Sequence, residues 1–163
     1  MKRFFGILTI VAGLGLGLAV ETLAGTHKAL KRDGWITHET NYSFVDLNSR
    51  LNDSIEANEM RRVTGASAST GAKNRGLTIP GNRIVGVYRN DFAVRMLEAS
   101  LAAGIEAPIR YYVTENSDGT ANLSYKTPTT VFSPYFDDGG KALKTLASEL
   151  DKLFAKIANE AVK

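Results

Sequence analysis

Apolar and polar residues alternate along Ile109 to Lys126 on both sides of Asp118-Gly119, a dipeptide that favours tight hairpin turns. Side chains on a strand point to opposite faces in turn, so Ile109, Tyr111 and Val113 share a core face with Ala121, Leu123 and Tyr125. Arg110, Tyr112 and Thr114, with Asn122, Ser124 and Lys126, then decorate the other face. The stretch WITHETN from Trp35 predicts a first strand, with Trp35, Thr37 and Glu39 on one side and Ile36 and His38 on the other. NRIVGVYR from Asn82 is apolar nearly throughout and predicts an interior strand. MRRVTGASAS from Met60 predicts a short strand that gives way to a small, polar loop through Gly76. Helical spacing takes over elsewhere. Leu47, Leu51 and Ile55 follow a capping-box-like start at Ser43 to Asp46, predicting a helix over 44–58. Asn90 or Asp91 caps a second helix that runs to Ala103 and stops at Gly104. After the Gly139-Gly140 break, Leu143, Leu146, Leu150, Leu153 and Ile157 mark a third. The order β-α-β-β-α-β-β-α predicts an α+β fold, an antiparallel sheet with helices packed on it.

Ahead of this domain the pattern changes. Lys2 and Arg3 precede an uncharged run from Phe4 to Val20, closed by Glu21. Seventeen residues span roughly 26 Å as a helix, close to the thickness of a bilayer core. The same layout suits a secretory signal peptide cleaved after Ala24. The expectation is a retained single transmembrane helix over residues 1–24, a linker over 25–34 and an α+β domain over 35–163. Gly13 and Gly17 form a GxxxG that permits close contact with another membrane helix. The signal-like layout places the C-terminal domain on the periplasmic side of a bacterial inner membrane.

Charge and composition remove several classes of function. The formal net charge of +3 falls to +1 once Lys2 and Arg3 are set aside, and the remaining cations are scattered singly or in pairs. A striped footprint for phosphate backbones is missing, so no nucleic-acid partner is expected. Cysteine is absent, which excludes disulfides, thiolate metal sites and cysteine nucleophiles. Gly65 to Lys73 superficially resembles a phosphate-binding loop, but five residues separate its glycines and Ala72 stands before Lys73. The two histidines, His27 and His38, suit neither a catalytic triad nor a metal site at their spacing. No metal, cofactor or catalytic residue is expected.

The chain resembles the bacterial and archaeal family called domain of unknown function 302. The resemblance is carried by Tyr42-Ser43-Phe44 at the first helix and by the strand-helix-strand segment from Gly81 to Val113. Asp118-Gly119-Thr120, Leu123-Ser124-Tyr125 and Thr127-Pro128 extend it. It implies a compact α+β fold in a family with no established activity. The N-terminal apolar segment and the long last helix depart from many members and suggest attachment.

The functional expectation is an accessory subunit without catalysis of its own, anchored in the bilayer and docked on a larger integral membrane complex, respiratory or photosynthetic. The alternative is a secreted small-molecule-binding module with its signal removed. Arg110, Tyr112 and Lys126, with Arg83 or Tyr88, are the candidate contact patch for an anionic or aromatic ligand or for an acidic partner segment.

Overall fold

The computed structural model describes residues 32–163. The expected membrane segment with Gly13 and Gly17, His27 and most of the expected linker lie outside the described residues. Among the described residues no helix is long and apolar enough to cross a membrane.

The chain runs β1 (Trp35–Ser43), α1 (Phe44–Ala57), β2 (Arg61–Ala66), α2 (Ala68–Lys73), β3 (Asn82–Tyr88) and α3 (Asn90–Ala99). It continues through a 3-10 turn (Ala102–Glu106), β4 (Ile109–Glu115), β5 (Thr120–Lys126), α4 (Pro128–Phe132) and α5 (Phe136–Ala161). The five strands form one sheet in the order β1-β5-β4-β3-β2, with every pairing antiparallel. The predicted α+β class and antiparallel sheet are therefore present.

Register fixes which residues share a face. Val85 lies opposite Tyr111, Tyr111 opposite Tyr125, and Tyr125 opposite Ile36, which makes one row across four strands. That face meets the helices. Leu47, Leu51 and Ile55 of α1 and Leu143, Leu146, Leu150, Phe154 and Ile157 of α5 are buried with Val85, Tyr111, Val113 and Leu123 in a single core. Tyr111 is held from two directions: its ring stacks on Phe154 at 4.6 Å between centroids, and its hydroxyl donates to the Phe154 carbonyl at 3.0 Å.

Local chemistry explains most boundaries. Ser43 Oγ accepts from the Asp46 amide at 3.1 Å and donates to Asp46 Oδ2 at 2.7 Å, which starts α1 where the capping pattern predicts. Gly140 adopts φ +54° and ψ −143° and kinks α5 into two helical segments, so the Gly-Gly break is real.

Three expectations need correction. The small, polar stretch after β2 is not all loop: α2 forms because Ser67 Oγ accepts from the Thr70 amide at 3.1 Å and caps it. The second helix ends at Ala99 rather than Ala103, because Ser100 turns to extended backbone and its Oγ is held by Asp138. On α5 the fully buried position after Leu150 is Phe154, while Leu153 is only partly buried, since a helix of 3.6 residues per turn carries the stripe forward.

Candidate functional site

The face opposite the core carries Thr37, Ser124, Tyr112 and Ile84 as one cross-strand row, and Trp35 opposite Lys126 as part of the next. None of the three long helices lies on it, because α1, α3 and α5 pack together against the other side. The row is tied internally: Thr37 Oγ1 and Ser124 Oγ are 3.0 Å apart and share a hydrogen bond.

At the end of this face where β1 begins and β5 finishes, a concavity of about 280 Å³ opens. Its walls include Trp35 from β1, Ile84 from β3, Arg110 and Tyr112 from β4, and Lys126 from β5, with Glu106 and Val131 at the rim. Lys126 Nζ stands 5.8 Å from the Trp35 ring centroid, a cation held over an aromatic face. Arg110 is exposed and makes no ion pair among the described residues, leaving its guanidinium donors open to a ligand. Glu106 accepts from the Tyr135 hydroxyl at 2.8 Å, which holds the tyrosine's proton and pushes its pKa up. The outward-facing side chains of the lining thus offer two cations, a tryptophan, the Tyr112 ring and one carboxylate already engaged. Such a set can orient an anionic group and cover an apolar body.

Of the five residues predicted for a contact patch, the fold gathers three. Arg110, Tyr112 and Lys126 meet at the concavity. Arg83 does not join them: it lies opposite Val113, whose side chain is in the core, and therefore points to the helix side of the sheet. Tyr88 has the correct parity but sits past the last β3–β4 pair, and its hydroxyl donates to Asn90 Oδ1 at 3.1 Å. Trp35, Ile84, Glu106 and Val131 were not anticipated. Trp35 becomes a neighbour of Lys126 only through the pairing of β1 with β5, a contact between strands 91 positions apart that alternation alone does not disclose.

His38 lies on the helix side of β1, opposite Leu123, with its ring stacked against Tyr125 at 6.4 Å. Burial lowers its pKa, and Nε2 is enclosed without a hydrogen-bond partner. It does not itself line the concavity. No group of three or more His, Cys, Asp or Glu residues converges on a common point among the described residues.

Comparison with known proteins places this architecture. The structure is similar to the crystal structure of an uncharacterised conserved DUF302 protein from Bacillus stearothermophilus. The TM-score is 0.70 at 20% identity, covering 80% of this chain and 99% of that one. No curated protein matches. The profile described as Domain of unknown function DUF302 matches residues 36–161, which takes in all but the first residue of β1 and all of α5. The chain belongs to the DUF302 family.

Proposed function

We propose that the protein is a binding module without chemistry of its own, tethered by its N-terminal apolar segment to a bacterial inner membrane and serving as an accessory subunit of a larger membrane complex. The observation that carries this is the concavity on the uncovered sheet face, where Arg110 and Lys126 converge with Trp35 and Tyr112. A carboxylate or acidic side chain of the partner, borne on an apolar or aromatic body, satisfies both cations and covers both rings. Residue 32 leads directly into β1 at this same end of the sheet, so a tether before it enters the domain beside the concavity. The domain's place is the periplasmic side.

A second occupant is favoured by the shape. A cleft of about 280 Å³ is near the lower bound of roughly 300 Å³ for small-molecule sites, so a free aromatic or aliphatic anion is the alternative ligand.

A photo-crosslinking amino acid at Tyr112 distinguishes the two in the native host. Crosslinks to a peptide of a membrane subunit, lost when Arg110 and Lys126 are both changed to glutamate, support the accessory role. Crosslinks to a small molecule alone support the alternative. A Tyr112 probe that captures nothing specific, together with native separation showing only free monomer or homodimer, refutes both.

A further inference from the structure

The near-neutral charge of the domain conceals a strong segregation. Between Met60 and Asn90 stand six basic residues (Arg61, Arg62, Lys73, Arg75, Arg83 and Arg89) and no acidic one. The rest of the described chain carries ten basic and sixteen acidic residues, so six net positive charges face six net negative ones within one domain. The fold keeps the first group together, since β2, α2 and β3 are consecutive and form the edge of the sheet farthest from β1. Among the described residues, Arg89 alone of the six has an ion-pair partner, Asp91 at 2.8 Å. The other five make no ion pair with any described residue.

Apolar side chains are interleaved with these cations. Val63, Leu77 and Ile79 are 48%, 52% and 43% exposed. Leu77 and Ile79 project from the β2–β3 connection, next to Lys73 and Arg75 and between Gly76, at φ +74°, and Pro80. Arg62, Val63 and Arg83 line one open groove of about 500 Å³ with Thr70. Unpaired cations around protruding aliphatic side chains are what an interfacial lipid surface recognises: phosphate headgroups meet the guanidinium and ammonium groups, and the aliphatic chains enter the headgroup boundary.

We infer that the β2–α2–β3 edge is a docking surface for an anionic bilayer, with Leu77 and Ile79 as its inserting residues. Two other occupants fit less well. An added protein strand meets a register shift between Arg62 and Thr64 and two arginines on β2, the devices that keep edge strands from pairing. A nucleic acid finds no free aromatic to stack on, as Tyr88 is held by Asn90. The inference stands without the N-terminal tether, because the edge carries its own lipid contacts.

Because the chain has no cysteine, Thr78→Cys gives a single labelling site between Leu77 and Ile79. The full-length protein carrying an environment-sensitive dye there is mixed with vesicles of phosphatidylcholine, or of phosphatidylcholine with one-third phosphatidylglycerol, each doped with nitroxide lipid. Quenching is expected only on the anionic vesicles, and is lost in 1 M salt, where the screening length falls to about 3 Å. Lys73→Gln with Arg75→Gln should lower the ratio of quenched to unquenched label about thirtyfold, at roughly five- to sixfold per cation. A label on Ser148→Cys, exposed on α5, should remain unquenched. Flotation with neutral vesicles reports the tether separately: a chain that floats there yet shows no anionic quenching at position 78 overturns the docking surface and leaves the tether intact. Quenching that is indifferent to phosphatidylglycerol, or a label that responds only to duplex DNA or an acidic protein, also overturns it.

Discussion

Tyr111→Phe and Phe154→Leu separate the two ways in which the sheet is fastened to the last helix. Tyr111 is 0% exposed, with its hydroxyl 3.0 Å from the Phe154 carbonyl, its ring stacked on Phe154 at 4.6 Å and set edge-on to Tyr125 at 5.4 Å. Tyr111→Phe keeps every ring contact and removes one hydrogen bond. The Phe154 carbonyl keeps its intrahelical role, so the net loss is about 1 kcal/mol. Phe154→Leu removes the stacked pair and the tilted pair with Tyr125, at 5.7 Å. At about 0.5–1.5 kcal/mol per aromatic pair, plus imperfect filling of the space, the expected loss is about 2–4 kcal/mol. For a domain of this size 1 kcal/mol moves the melting temperature by about 4 °C, so circular dichroism melts should fall by about 4 °C and 8–16 °C. The pH dependence gives an independent signature. Burial raises the pKa of the Tyr111 hydroxyl well above its ordinary value of 10.0, so the folded state holds that proton more tightly than the unfolded chain does. This contribution is complete below pH 10 and is lost as the pH climbs towards the raised folded value. Tyr111→Phe has no such proton to lose, so its deficit should shrink as melts are taken from pH 8 to pH 11. A deficit that stays constant over this range, or a Phe154→Leu loss no larger than that of Tyr111→Phe, refutes the division of roles.

Three further outcomes follow from single contacts. Gly86→Ala places a Cβ against Thr64 Oγ1 and 3.0 Å from the Pro108 ring; overpacking an interior strand there should destabilise by about 1–3 kcal/mol in urea titrations. Ser43→Ala removes the acceptor that caps α1 and should lower stability by about 1 kcal/mol in the same titration. Arg110→Glu combined with Lys126→Glu should abolish partner or ligand capture at Tyr112, with each change affecting stability by no more than about 0.5 kcal/mol, because both side chains are exposed.

The elements that were legible in the sequence are those whose pattern is local. A period of two on both sides of Asp118-Gly119 sets the β4–β5 register, and the core face it predicts is the observed one. Ser43 and Asp46 are three residues apart and settle the start of α1 between themselves. The short helices α2 and α4 were not legible, because five or six residues are too few for a helical stripe and each is set by one hydroxyl cap, from Ser67 and Thr127. Arg83 was misplaced for a related reason. β3 is apolar on both faces at Ile84, Val85 and Val87, so its pattern does not tell which parity faces the helices, and only the pairing of Val85 with Tyr111 does so.

The candidate surfaces depend on long-range pairing even more than the fold does. Trp35 and Lys126 stand 91 positions apart and meet because the first and fifth strands are neighbours. Charge shows the same dependence in reverse. A sum over the chain cancels, and scattered cations look like ordinary solvation until one notes that no acid interrupts Met60 to Asn90 and that this whole segment folds as one edge of the sheet. The two surfaces then lie at opposite ends of the strands: the concavity, with walls from β1 to β3, sits where β1 begins, whereas Leu77 and Ile79 lie on the β2–β3 connection at the other end. A domain whose cationic edge rests on lipid keeps the uncovered sheet face and its concavity free to meet a partner. Reversing Arg110 and Lys126 should therefore leave vesicle quenching at position 78 unchanged, while neutralising Lys73 and Arg75 should leave crosslinking at Tyr112 detectable. Loss of both readouts from either pair of substitutions would show that the surfaces are a single site.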